Sequence, residues 1–157
     1  MGIGIIKLVS GGQTAADRGA LDFAIEHKIP HGGWCPAGRL AEDGPIPLRY
    51  QLTETPSSAY APRTEWNVRD SDGTVVFSIE PVLTGGSKET IEFATKYGKP
   101  VLHLYRSGES ASPGLELLRF IRDNHIKTLN VAGPRASEEP EVAAFVREVL
   151  EKASEIE

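Results

Sequence analysis

Cysteine is nearly absent from this 157-residue chain: Cys35 stands alone, so there is neither an internal disulfide nor a multi-cysteine metal site. A lone thiol is what a reducing cytosol permits. No apolar run reaches the ~18 residues needed to span a bilayer, and the N-terminus lacks the basic segment and long apolar core of a secretory signal. A cytoplasmic protein without membrane attachment is the expectation. Basic charge is scarce too, with 17 Lys and Arg against 22 Asp and Glu and a net charge of −5. That balance argues against non-specific binding to nucleic acid or anionic membrane. The four histidines, at 27, 31, 103 and 125, show no ligand spacing, so no protein-ligated metal is expected. Internal repeats are missing as well.

What is present is an ordinary soluble composition, 39% hydrophobic and 25% charged, at a length that buries a core without staples. One domain over residues 1–157 is expected. Short β-branched runs alternate with helical patterns, which predicts an α/β fold with a mainly parallel sheet covered on both faces. Strands are predicted at 5–9, within "HGGWC", and at 74–79, 99–105 and 128–133. The helices are predicted at 14–27, 63–69, 87–97, 112–125 and 140–156. Thr14 and Asp17 have capping-box spacing, Ser112 precedes Pro113 as an N-cap, and Gly98 is a helix stop. Between "HGGWC" and residue 63 runs a long stretch rich in proline and glycine. Its aromatic and charged residues are unlike a disordered linker, so an ordered loop over the sheet edge is predicted. Within it Trp34 reads as core and Cys35 as a small buried hydrophobe rather than a reactive thiol.

In an open α/β sheet, ligands bind at the carboxyl ends of the strands. Two glycine pairs fall at such places: Gly11-Gly12 in "SGGQTAADRGA", and Gly85-Gly86 in "TGGSKE". One glycine pair after a strand is most often a turn. Two at matching positions, each leading into a helix whose first amides favour an anion, point to a crevice for an anionic ligand. Candidate ligand-binding residues are Gly11, Gly12, Gln13 and Thr14 at the first turn and Gly85, Gly86, Ser87 and Lys88 at the second. Arg39 and Arg135 add charge, while Arg63, Asn67 and Asp70, at helical spacing with Tyr60, and Asp72 would orient the ligand. Neither a dinucleotide fingerprint nor a P-loop is present.

The blocks "SGGQTAADRGALD", "GGWCPAGRLAEDGPIP", "RTEWNVRDSDGT", "TGGSKETIEFA" and "LNVAGPR" resemble, in order and spacing, the molybdenum carrier family over nearly the whole chain. The resemblance implies a Rossmann-like three-layer α/β/α fold, related to lysine-decarboxylase-like phosphoribohydrolase proteins. It implies a carried ligand, the molybdenum cofactor (molybdopterin) or its oxyanion part, bound without chemical turnover. It also implies a homo-oligomer, dimer or tetramer, and partners among molybdoenzymes or cofactor-synthesis proteins. The related hydrolases carry a "PGGxGTxxE" loop; here residues 84–92 read "TGGSKETIE", which keeps Glu92 but loses the proline, the third glycine and the threonine. Alanines at 15 and 37 stand where the family usually has glycine and a basic residue. Two other readings remain open: a nucleotide phosphoribohydrolase using Glu89 or Glu92 as acid/base with Arg63 or Arg135 on the phosphate, and a nucleotide-sensing module.

Overall fold

The computed structural model describes residues 2–106 and 112–156. The elements run β1 (Lys7–Val9), α1 (Ala16–Glu26), β2 (His31–Gly32), β3 (Trp34–Cys35), β4 (Leu40–Ala41), β5 (Gly44–Pro45), β6 (Thr53–Glu54), α2 (Tyr60–Arg69), β7 (Gly73–Ser78), α3 (Gly85–Tyr97), β8 (Val101–Tyr105), α4 (Pro113–Asp123), β9 (Thr128–Ala132) and α5 (Val142–Glu155). Five strands pair in parallel in the order β2-β1-β9-β7-β8. Helices α1, α5 and α4 pack side by side, and α2 packs on α3. This is the three-layer, Rossmann-like α/β fold that the resemblance implied.

Strand β7, inside the sheet between β9 and β8, shows why the layers are needed. All six residues of β7 are buried, and alternate side chains of a strand point to opposite faces, so both faces must be covered. Phe77 meets Phe145 of α5 edge to face, with ring centroids 5.8 Å apart. Val75 and Phe77 join the core that α1 and α5 close, with Leu21, Phe23 and Val146. Small residues on α1 let it approach closely: a Cβ on Gly19 would lie 3.1 Å from the Ala143 carbonyl oxygen of α5.

Several boundaries move. "HGGWC" divides between two sheets, because Gly33 turns the chain and β3 pairs with β6 while β2 stays on β1. The long loop is ordered and carries β4, β5 and β6; Arg39 clamps it by donating to the carbonyls of Ile46, Pro47 and Tyr50. Helix α2 begins at Tyr60, one turn before the predicted Arg63. The capping box does not form: α1 starts at Ala16, Thr14 donates to Glu42 instead, and Asp17 accepts the Gln13 amide from inside the fold. Ser112 makes no side-chain cap to α4. Gly98 stops α3 in the left-handed conformation, as predicted. Trp34 is half-buried rather than core: its indole donates to Asp70 at 2.9 Å and meets Trp66 edge to face.

Candidate anion-binding crevice

Strand order reverses around β1, β9 and β7. Chain leaving β1 turns towards β2, and chain leaving β7 turns the other way, towards β8. The divergence leaves a crevice at the carboxyl ends of these strands. There a cavity of about 220 Å³ is lined by Gln13 and Asp17 after β1, by Gly85, Gly86, Ser87, Glu89 and Thr90 after β7, and by Gly133, Pro134 and Arg135 after β9. Helix α2 closes one side with Tyr60, Arg63 and Thr64.

The first turn of α3 supplies donors. Thr84 occupies the N-cap position without a side-chain bond, and the amides of Gly85, Gly86 and Ser87 have no acceptor among the described residues. The first amide to be taken is Lys88's, which reaches the Thr84 carbonyl at 3.4 Å. Three free N–H groups and the positive end of a helix favour an anion. Nothing would lie within 4 Å of a Cβ on Gly85 or Gly86, so the approach is open.

Two cations stand opposite. Arg63 and Arg135 both lie over the Tyr60 ring, 5.8 Å and 5.2 Å from its centroid, where the π-system attracts each cation. Arg63 is 14% exposed and reaches Asp17 at 3.5 Å. Asp17 is almost wholly buried. Burial pushes its carboxyl above the ordinary range, against the pull of the Arg63 charge and the Gln13 amide. Besides the Tyr60 ring, Arg135 meets Glu138, three residues on, at 3.4 Å. The loop bearing Arg135 is tied down by Thr14, which accepts the Ala136 amide and donates to Glu42; Glu42 also accepts the Ser137 amide. The Ser137 side chain, then the Thr14 hydroxyl and more weakly the Ser137 amide, hold the Glu42 carboxyl below its usual range.

Of the predicted site residues, Gln13, Arg63, Gly85, Gly86, Ser87 and Arg135 converge on this cavity. The others stand elsewhere. Gly11 and Gly12 are filled over by the protein's own side chains, and Thr14 joins two loops. Arg39 serves the long loop. Lys88 is exposed outside the cavity lining. Asn67 binds both the amide and the carbonyl of Trp34, and Asp70 pairs with Arg69 and Trp34. Asp72 accepts the Lys127 and Thr128 amides at the opposite, amino end of the strands. Glu89 lines the cavity, whereas Glu92 is exposed away from it. Asp17, Tyr60 and Thr90 were not among the predicted site residues. The signal for Tyr60 was its i, i+3 spacing to Arg63; for Asp17 it was a carboxylate set among alanines and glycines.

Among the described residues no group of three or more His, Cys, Asp or Glu is placed to hold a metal ion, and no helix is long and apolar enough to cross a membrane. Cys35 is buried, and burial raises its thiol pKa.

The family model "Circularly permutated YpsA SLOG family" matches residues 8–154. A crystal structure described as a "Putative molybdenum carrier protein" from Syntrophus aciditrophicus SB is 48% identical, with 96% of this chain and 95% of that chain covered and a TM-score of 0.92. A structure of (E)-4-hydroxy-3-methyl-but-2-enyl diphosphate reductase is 9% identical, with 95% of this chain and 60% of that chain covered. Its TM-score of 0.40 is too low to carry an argument. Among curated proteins nothing matches the chain.

Proposed function

The chain belongs to the circularly permutated YpsA SLOG family, and on that premise we propose that it binds a molybdenum-containing anion, the cofactor or its oxyanion part, and carries it without chemical turnover. One observation carries the anion: the unpaired amides of Gly85, Gly86 and Ser87 face a crevice that also holds Arg63 and Arg135. Preorganised donors hold an oxyanion without a catalytic group. The identity of the anion rests on the 48% identical relative and its printed description. A cavity of about 220 Å³ is smaller than the roughly 300–1,000 Å³ that encloses a drug-sized ligand. It would take one anionic end of a larger molecule and leave the rest outside, where a second copy of this chain, a molybdoenzyme or a cofactor-synthesis protein could reach it. Such partial enclosure suits handing on rather than conversion.

Thermal shift and equilibrium dialysis under anaerobic, reducing conditions test the proposal with molybdopterin, molybdate and tungstate. A ligand at ~100 times its dissociation constant adds about 2.7 kcal/mol, an easily read rise in Tm. Gly86→Asp sets a carboxylate in the anion's place in open space, so this variant should fold and lose binding. If no molybdenum ligand stabilises the wild type, the carrier reading fails. Glu89 in the cavity wall favours a second reading, the nucleotide phosphoribohydrolase. Release of free base from nucleoside monophosphates, lost in Glu89→Gln, would establish it.

A further inference from the structure

A buried hydroxyl in the crevice wall has no partner in the protein. The two threonines of that wall turn their hydroxyls back on their own helices: Thr64 donates to the Tyr60 carbonyl at 3.1 Å and Thr90 to the Gly86 carbonyl at 2.8 Å. Ser87 does not. It is 6% exposed, and its Oγ makes no hydrogen bond among the described residues. The unpaired side-chain polar atoms that are shut off from solvent are Gln13 Oε1 and Arg63 Nε. Ser87 Oγ is not one of them, so it is open to solvent, and the opening that Ser87 lines is the crevice cavity. A helical side chain leans back towards the start of its helix, which is the end where the amides of Gly85, Gly86 and Ser87 are free. Buried polar groups are nearly always paired, so the hydroxyl and the amides together describe one missing partner.

We propose that Ser87 determines specificity: its hydroxyl donates to the bound head group and, with the α3 amides, selects a tetrahedral oxyanion over a planar carboxylate. This rests on the anion-site reading above. At 3.6 residues per turn the three amides lie about 100° apart around the helix axis, in a triangle rather than a row. Ser87 Oγ adds a fourth donor, and Arg63 and Arg135 approach from α2 and from the loop after β9. Donors therefore converge from several directions. A carboxylate accepts hydrogen bonds close to its own plane and leaves some of these donors unmet. A phosphoryl group or molybdate accepts on every side. The ligand chemistry is a tetrahedral dianion, free or at the end of an ester.

The test is isothermal titration of the wild type and of Ser87→Ala at pH 8 with molybdate, methyl phosphate and malonate, all dianions at that pH. Charge is thereby held constant while shape changes. The wild type should bind molybdate or methyl phosphate about tenfold tighter than malonate. Ser87→Ala keeps the α3 amides and should lose about tenfold towards the tetrahedral probe, as expected for one hydrogen bond to a charged group, while its affinity for malonate stays within about twofold. A thermal midpoint close to that of the wild type shows that the variant is folded. Tighter binding of molybdate identifies a free oxyanion as the occupant, and tighter binding of methyl phosphate the ester end of a larger molecule. Equal wild-type affinity for all three probes overturns the role of Ser87 and leaves the anion site standing. So does a Ser87→Ala variant that loses nothing, or loses equally towards every probe. If the wild type binds none of the three, the role of Ser87 and the anion site fall together.

Discussion

Two glycine pairs leave β1 and β7 at the same end of the sheet, each running into a helix, and they have opposite contents. At Gly11 a Cβ would fall 2.1 Å from Arg63 Nη1 and 3.0 Å from Asp17 Oδ2; at Gly12 it would fall 2.5 Å from Leu52 Cδ1 and 3.1 Å from Ile46 Cδ1. The bare backbone there admits the protein's own side chains: a guanidinium on one residue and the apolar underside of the long loop on the next. At Gly85 and Gly86 a Cβ would meet nothing within 4 Å. One pair makes room for the wall of the crevice, and the other leaves the crevice open. Glycine after a strand therefore marks close approach, but the approaching group can belong to the protein or to a ligand.

Removing the guanidinium from the filled turn should have the largest effect. Arg63→Met leaves Asp17 buried without its cation, a loss of about 3 kcal/mol at neutral pH, and it should also weaken anion binding. The loss should depend on pH in a stated direction. The Asp17 pKa is raised in the fold, and Arg63 is the leading influence opposing that rise. Without Arg63 the pKa climbs further. A carboxyl whose folded pKa exceeds its unfolded value near 3.8 contributes nothing below that value and destabilises increasingly as pH rises towards the folded pKa. The Arg63→Met deficit should accordingly shrink between pH 8 and pH 4 in chemical-denaturation curves. A deficit that is the same at both values would mean that Asp17 is not the group left uncompensated.

A smaller effect sharpens the contrast between the turns directly. Gly12 has φ +78° and its space is occupied, so Gly12→Ala should cost about 1–3 kcal/mol through backbone strain and repacking of Leu52. Gly86 has ordinary helical backbone and open space, so Gly86→Ala should stabilise slightly, by about 0.5 kcal/mol. Denaturation midpoints of the two variants decide the matter. A reversal of sign would dissolve the distinction between a filled and an open turn.

Much of this was legible locally. The alternation of β-branched runs with helical patterns, and Gly98 as a stop, depend on neighbours within a few residues, and the elements formed near their predicted places. The open turn at Gly85-Gly86 was readable for the same reason, since free amides follow from a helix starting there. The helical spacing of Tyr60, Arg63, Asn67 and Asp70 was also readable, but it does not say which end of the helix meets the crevice. Tyr60 and Arg63, in the first turn, do; Asn67 and Asp70, near its end, are engaged with Trp34. Thr14 and Asp17 show the limit from the other side, because a strong local signal for a capping box lost to long-range partners, Glu42 for one and burial against Arg63 for the other.

By itself the sequence determined the α/β class, the order of most elements, the two glycine turns and the resemblance to a family, all of which reside in composition, periodicity and short-range pattern. The tertiary structure decided which turn is filled, which arginines meet the Tyr60 ring and which polar atoms are left unpaired. Those outcomes depend on side chains separated by tens of residues, such as Asp17 and Arg63 or Gln13 and Leu40. Strand order brings them together, and no local propensity encodes that meeting.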